Sequence, residues 1–185
     1  MAVLPVRIYG DPVLRAKTQP VAAVDDVLRR LIADMHETMA HYRGVGLAAN
    51  QVGDLRRVLV IDAPIDDERR VRLTLVNPTL HDPSGAVTAE EGCLSIPGVW
   101  EDVKRAMRVR VKALDEHGRL LDFVAEDYVA RIVQHEVDHL DGVLFVDRLS
   151  PLKRQLLRKT LQGLARGEMP EGYENYGRTG EGAAG

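Results

Sequence analysis

Residues 127–142 read DYVARIVQHEVDHLDG. Their apolar side chains recur at the spacing of a helix with one buried face, at Val129, Ile132, Val133 and Leu140. Gly142 follows, and glycine is common where a helix ends. The stretch therefore predicts a helix from about Asp127 to Leu140 that packs one face against a hydrophobic core.

This helix carries the motif His-Glu-Val-Asp-His at residues 135–139. Because positions i and i+4 lie one turn apart on the same helix face, His135 and His139 can bind one divalent cation. Glu136, beside the first histidine, can then act as a general base on water at that cation. The alternative is an amphipathic helix that carries two histidines by chance, and the motif alone does not distinguish a peptidase from another hydrolase.

A catalytic cation of this kind needs a third protein ligand and an open position for water. Cys93 is the candidate, and it lies in Glu-Gly-Cys-Leu-Ser at residues 91–95, where a glycine allows close approach of the backbone. One thiolate and two neutral imidazoles would leave a divalent ion with a formal charge of about +1. The alternative is a buried structural cysteine, the commonest role of a lone cysteine.

A third segment, Gly-Val-Gly-Leu-Ala-Ala-Asn-Gln at residues 44–51, is rich in small residues that let two backbones approach closely. Gln51 adds an amide donor of the type that stabilises the oxyanion formed in amide hydrolysis. The alternative is a simple turn with Gln51 at the surface. A phosphate-binding loop is disfavoured because no Lys-Ser/Thr follows the glycines.

The rest of the chain supplies helices at its two ends and strands between them. Helical periodicity covers residues 25–42 and 150–166. Strand patterns cover residues 58–62, 71–77, 107–113 and 120–124. This order predicts an α+β fold, with residues 1–166 as a single catalytic domain. Residues 167–185, rich in glycine and polar residues and without periodicity, are expected to form a mobile tail.

Composition excludes several classes of protein. The 185 residues suffice for one domain, and the formal net charge of −3 disfavours general binding to nucleic acid. The first residues lack the features of a secretion signal, and no apolar run approaches the roughly 20 residues of a membrane-spanning helix. We therefore expect a cytoplasmic protein without a membrane segment. We also expect it to be a monomer.

Residues 44–51, 91–95 and 134–139 together resemble the three signature motifs of the peptide deformylase family, in the family's order. The similarity extends from about Ile8 to about Leu149. It implies an α+β fold in which a central metal-binding helix is surrounded by antiparallel sheets, with further helices at the N- and C-terminal ends. The implied reaction converts a formyl-methionyl nascent peptide and water into formate and a free amino terminus.

The resemblance also implies roles for individual residues. The metal ligands would be Cys93, His135 and His139. Glu136 would take the proton of the attacking water and pass it to the departing amine, while the Gln51 side chain and the backbone N–H of Leu94 would hold the oxyanion. The substrate contacts would be Val45, Gly46, Tyr128 and Ile132. The groups that orient the ligands would be Glu91, Arg105 and Asp138, although Asp138 fits an ordinary surface ion pair equally well.

Two positions depart from the best-known bacterial pattern. Trp100 stands where an arginine often helps to bind the substrate backbone, which puts the outer peptide contacts in doubt. Arg131 stands where an apolar residue is common, and we interpret it as an exposed position of the helix without a role.

The resemblance favours one divalent metal, Fe²⁺, with Ni²⁺, Co²⁺ or Zn²⁺ also compatible with these ligands. In family members a C-terminal basic helix can dock on the ribosome, which makes the helix 150–166 a candidate for this contact. The alternative, which we favour from the sequence, is a packed amphipathic helix with a solvated basic face. Two rival functions are weaker. A general metallopeptidase would need a third ligand downstream of the helix, and the remaining histidines all lie upstream; a silent peptide-binding protein would be expected to lack Glu136 or Cys93.

Overall fold

The computed structural model describes residues 2–66 and 68–173. These residues form three α-helices: α1 (Asp26–His41), α2 (Asp127–Leu140) and α3 (Pro151–Ala165). They also form seven strands: β1 (Gly46–Ala48), β2 (Val58–Pro64), β3 (Arg70–Ser84), β4 (Val87–Cys93), β5 (Ile96–Arg105), β6 (Arg108–Leu114) and β7 (Leu120–Glu126).

The strands form two antiparallel sheets. The larger has five strands in the order β1-β2-β3-β6-β7, which leaves β1 and β7 at its edges. The smaller is the hairpin of β4 and β5, joined by a tight turn between Cys93 and Ile96. Three helices with antiparallel sheets confirm the predicted α+β fold.

Local sequence explains where two of the helices begin. The Asp25 side chain caps α1 by accepting a hydrogen bond from the backbone N–H of Leu28. Ser150 caps α3 in the same way at Lys153, and Pro151 occupies the first helical position, where its missing N–H costs nothing. The predicted ends of these two helices agree with the structure to within two residues.

Helix α2 lies at the centre of the molecule and is buried over almost its whole length. On one side it packs against the five-stranded sheet, in a cluster that includes Leu59, Ile61, Val111, Val133 and Leu140. A second cluster joins β5 to the C-terminal helix through Ile96, Val103, Phe145, Leu161 and Leu164. The helix with the histidine motif is therefore enclosed between elements from distant parts of the chain.

The sequence patterns missed some elements. Strands β1, β4 and β5 were not predicted, and β3 is 15 residues long where a strand of seven was expected. The first four residues of β4 are exposed, so this strand has no alternation of apolar and polar side chains to reveal it. The hairpin is therefore visible only in the folded structure.

The predicted tail falls partly outside the described residues, because residues 174–185 are not among them. Within residues 167–173, Pro170 lies against the hairpin, because a Cβ added at Gly98 would be 2.9 Å from its Cγ. No helix among the described residues is long and apolar enough to cross a bilayer.

The packing of α2 on the large sheet predicts the effect of shortening one core side chain. Leu59 is completely buried in this cluster, so Leu59→Ala should lower the free energy of unfolding by about 2–5 kcal/mol. Leu120→Ala, at a side chain that is 76% exposed, should change it by less than about 0.5 kcal/mol. Urea unfolding followed by circular dichroism measures both, and equal midpoints for the two variants would contradict the described packing.

Candidate active site

The structure brings the three predicted ligands together. Cys93 lies at the end of β4, while His135 and His139 lie on α2, and one ligand atom from each is within 4.8 Å of the others. Sγ of Cys93 is 3.1 Å from Nε2 of His139, and the two imidazole centroids are 5.0 Å apart. Distances of this order separate the ligands of one cation, whose bonds are about 2.0–2.3 Å long.

The surroundings of the two histidines fit a divalent cation. Burial alone would lower the pKa of His135, but hydrogen bonds with Cys93 and Glu91 outweigh it and raise that pKa to about 10. Burial and the charge of His135 together lower the pKa of His139 well below its usual value. The surroundings therefore favour positive charge at His135, where a bound cation would take the place of the proton, and they keep His139 neutral, as a ligand must be. A thiolate with two imidazoles suits zinc, iron, nickel or cobalt.

Glu136 is a buried carboxylate beside the ligands. Its side chain is almost inaccessible, and among the described residues no hydrogen-bond partner reaches Oε2. Burial raises the pKa of Glu136 to about 7, which is where a group that both accepts and donates a proton is most effective. Gly46 makes room for it, because a Cβ at that position would lie 2.9 Å from Cδ of Glu136.

The Gln51 side chain is buried and points at the same centre. Its Oε1 accepts a hydrogen bond of 2.8 Å from the backbone N–H of Ala48, so the amide nitrogen points away from Ala48 and towards Cys93. That nitrogen lies 3.6 Å from Sγ of Cys93 and donates to Oγ of Ser95 over 3.1 Å. The alternative of a surface glutamine is therefore wrong.

Leu94 and Ser95 form the turn of the hairpin, directly after Cys93. The Leu94 side chain packs against the core beneath α1 and so anchors the turn, while the role of its backbone N–H stays a prediction. Ser95 is fully buried, and its own N–H donates to Sγ of Cys93 over 3.4 Å. Sequence reasoning did not assign Ser95 a role, although its place within the segment 91–95 was a usable signal.

Glu91 connects the ligands to a cluster of buried charges. Its Oε2 accepts a hydrogen bond of 2.9 Å from Nδ1 of His135, which leaves Nε2 as the nitrogen available to a cation. Arg105 donates a hydrogen bond of 2.9 Å to each of the two carboxylate oxygens of Glu91. Although burial alone would raise the pKa of Glu91, the hydrogen bonds from Arg105 and His135 hold it well below its usual range.

Two expectations about this cluster need correction. Asp138 does not hold an imidazole: its carboxylate accepts hydrogen bonds from Arg105 and Arg148, and the contact with a ligand is made by Glu91. Arg131 is not exposed. It is 6% accessible and donates to Glu91 over 2.7 Å, because the hairpin covers the polar side of α2 as the sheet covers its apolar side.

A pocket opens beside the proposed ligands and Glu136. All four predicted substrate contacts line it: Val45, Gly46, Tyr128 and Ile132. Ile132 is buried, whereas Tyr128 is half-exposed at the mouth. Trp100 also borders the pocket and is 60% exposed, with its ring lying over Gly92, where a Cβ would be 2.6 Å from the ring.

Comparison with known proteins agrees with this geometry. A family model described as polypeptide deformylase matches residues 3–155. A peptide deformylase of Alkalilimnicola ehrlichii is 53% identical over 166 residues, which cover 90% of this chain and 93% of the relative.

Solved structures are similar over most of the chain. The crystal structure of a peptide deformylase from Legionella pneumophila has a TM-score of 0.81 at 42% identity, covering 91% of this chain and all of that one. A class I type b peptide deformylase from Acinetobacter baumannii, with Met-Ala-Ser bound, has a TM-score of 0.76 at 38% identity and covers 80% of this chain and all of that one. Since sequence and fold agree over most of its length, the chain belongs to the peptide deformylase family.

Proposed function

We propose that this chain removes the N-terminal formyl group from formyl-methionyl nascent peptides, with Cys93, His135 and His139 as ligands of one divalent cation and Glu136 as the general base. The activity is that of the family to which the chain belongs, a family of metal-dependent hydrolases that release formate. The assignment of residues rests on one observation, the convergence of a sulfur and two imidazoles within 4.8 Å beside a buried carboxylate.

A divalent cation in this position would supply Lewis acidity, which activates water as a nucleophile near neutral pH and polarises the formyl oxygen. The side chains of the chain itself provide the remaining functions. Glu91 holds His135 by its Nδ1 and thereby fixes both the tautomer and the direction of Nε2.

Glu136 is placed to move the proton of the reaction. It is enclosed by α2 and β1, and its Oε2 has no hydrogen-bond partner among the described residues that would compete with a water molecule. We infer that it takes a proton from the attacking water and delivers it to the departing amine. The same carboxylate thereby serves as base in the first step and as acid in the second.

Two donors are proposed for the oxyanion that develops on the formyl oxygen, the Gln51 amide and the backbone N–H of Leu94. The hydrogen bond from Ala48 holds the Gln51 amide in one orientation, so its nitrogen is already directed towards Cys93 before negative charge develops. A formyl group carries only hydrogen on its carbonyl carbon. A tight site therefore accepts it and excludes the bulkier carbonyl of an internal peptide bond.

The peptide part of the substrate fits the pocket and the adjoining sheet edge. We propose that Val45, Tyr128 and Ile132 surround the methionine side chain. Strand β1 is an edge strand, so the backbone near Gly46 can pair with an extended peptide. The Acinetobacter relative was solved with the tripeptide Met-Ala-Ser bound, which supports a peptide as the ligand of this cleft.

The nature of the metal and the cellular setting are further proposals. We propose Fe²⁺ as the metal in the cell, with Ni²⁺, Co²⁺ or Zn²⁺ able to replace it in purified protein, because a thiolate and two imidazoles accept all four. We also propose that the chain acts as a cytoplasmic monomer.

Helix α3 supports a proposal of ribosome docking. Its C-terminal part is anchored by Leu161 and Leu164, whereas Leu152 and Leu156 are 66% and 74% exposed. The apolar side of the helix is therefore packed at its C-terminal end and exposed at its N-terminal end. Basic side chains lie exposed beside these leucines, at Arg154, Arg158 and Lys159. A mixed apolar and basic surface of this kind suits a partner rich in phosphate.

Glu136→Gln tests the proposed base. The variant should keep its cation and lose on the order of 10²- to 10⁴-fold in kcat, since the amide cannot accept a proton. The measurement is formate release from formyl-Met-Ala-Ser by nickel-loaded protein, with the N-acetyl peptide as substrate control. Glu126→Gln, at a carboxylate that is 57% exposed, is the matched control and should retain wild-type activity. Near-wild-type rates in Glu136→Gln would remove the proposed base, and equal turnover of the acetyl peptide would refute deformylase activity.

Cys93→Ser tests the third ligand. A hydroxyl is a much weaker ligand than a thiolate for these metals, so the purified variant should contain far less cation per chain than the wild type after dialysis against a chelator. Elemental analysis of protein prepared without oxygen makes the comparison. Unchanged metal content would indicate a different third ligand.

Charge reversal on α3 tests ribosome docking. Pelleting with ribosomes should weaken steeply with added salt and be lost when three basic residues are changed to glutamate, at Arg154, Arg158 and Lys159. An equal change of charge at exposed positions elsewhere is the control, at Lys17, Arg30 and Lys104. Equal loss in both variants would show that only overall charge matters.

A further inference from the structure

Arg131 is a buried cation that the proposed reaction does not use. It lies on α2 one turn before His135, and its side chain is 7% exposed. Nη1 donates to Oε1 of Glu91 over 2.7 Å and to the carbonyl of Val103 over 2.9 Å. Nη2 donates to the carbonyl of Val87 over 2.9 Å. An arginine that is almost fully enclosed and bonded at both terminal nitrogens is held in a single position.

Burial of a guanidinium is costly unless it is paired and hydrogen-bonded, and an apolar residue could fill the same space without that cost. Arginine differs from an apolar residue in its planar set of donors, which can hold several acceptors at fixed angles. The contacts of Arg131 therefore indicate what the residue is for: it joins one carboxylate to the backbone of two strands.

The carboxylate contact leads to the proposed metal ligands. Each oxygen of Glu91 accepts two hydrogen bonds, Oε1 from Arg105 and Arg131, and Oε2 from Arg105 and His135. Without Arg131, only Arg105 would oppose a rotation of the carboxylate away from His135. The Arg131 guanidinium thus helps to fix the Glu91 carboxylate, which orients the His135 imidazole.

The backbone contacts lead to the third ligand. Val87 and Val103 lie in the hairpin of β4 and β5, whose turn carries Cys93. Arg131 extends from α2 to this hairpin, while Arg105 extends from the hairpin to Asp138 on α2. The two arginines therefore link α2 and the hairpin in opposite directions, one from each element. Together they set the distance between the sulfur on one element and the imidazoles on the other.

We propose that Arg131 is a positioning residue of the metal centre, which sets cation affinity by holding Glu91 against His135 and by joining the Cys93 hairpin to the histidine helix. This inference rests on the proposed ligand set of Cys93, His135 and His139. It assigns a role in the reaction to a residue that contacts no reacting atom.

The test compares cation binding in Arg131→Met and Arg131→Lys. The methionine variant keeps an unbranched chain of similar length without the donors, and it should bind Co²⁺ or Zn²⁺ more weakly by on the order of 10- to 100-fold in competition with a chelator. The lysine variant keeps the charge but cannot span all the acceptors, so its affinity should lie between those of methionine and wild type. KM for formyl-Met-Ala-Ser in nickel-loaded protein should stay within about twofold of wild type.

Arg57→Met is the matched control for loss of an enclosed arginine. Arg57 is 13% exposed and holds the Asp141 carboxylate, at the end of α2, and the Pro78 carbonyl, and its described hydrogen bonds involve neither Glu91 nor a proposed ligand. Its loss should lower the melting temperature without changing cation affinity. If Arg131→Met behaves in the same way, Arg131 is a structural residue and the inference is overturned. A rise in KM with unchanged cation affinity would overturn it as well, because Arg131 would then act as a wall of the pocket.

A double mutant tests the route through Glu91. If Arg131 acts on the cation through that carboxylate, Arg131→Met should weaken cation binding much less in the Glu91→Gln background than in the wild type. Fully additive effects of the two substitutions would contradict an action through Glu91. If Arg131→Met does not fold, Arg131→Lys decides, and wild-type cation affinity in that variant overturns the inference. The proposed ligand set would instead be refuted if the wild-type protein bound no cation, or if Cys93→Ser bound the cation as tightly as the wild type does.

Discussion

The rest of the site depends on the hydrogen bonds that the Glu91 carboxylate accepts. This carboxylate is buried, and it receives hydrogen bonds from Arg105, Arg131 and His135. An ionic cluster of this kind adds little net stability, but loss of one partner leaves an uncompensated charge and is strongly destabilising. The cluster therefore selects one relative placement of helix α2 and the hairpin. That placement brings Cys93 next to His139, and the proposed chemistry requires it.

The two sides of α2 are packed by different physical forces. Towards the five-stranded sheet the contacts are between apolar side chains, as at Leu140 and Val133. Such contacts hold the helix on the sheet but do not by themselves fix its exact rotation about its own axis. Towards the hairpin the contact is made by hydrogen-bonded charges, whose geometry is directional. The apolar side thus provides stability, while the charged side provides the precision that a metal centre needs.

The proposed selection of a formyl group is consistent with the close approach of the backbone to this centre. Gly46 lies against Glu136 with no room for a side chain, and the Gln51 amide is held in one orientation by Ala48. Tyr128 and Trp100 also line this cleft, and both of their rings are exposed. The close backbone at Gly46 thus fits the proposed selection of a small acyl group, and the exposed rings are available to the proposed peptide substrate.

The sequence alone predicted the three helices, the α+β class and, through its resemblance to the family, the proposed metal ligands, because helical periodicity and three short motifs are local signals. It did not reveal the hairpin of β4 and β5, since β4 is largely exposed and lacks alternation. It also placed Arg131 at the surface, because a buried ionic contact and a solvated one look the same in a sequence. Only the tertiary structure decided which charges face each other across α2, since Glu91 and His135 are 44 residues apart and meet only when the hairpin closes on the helix.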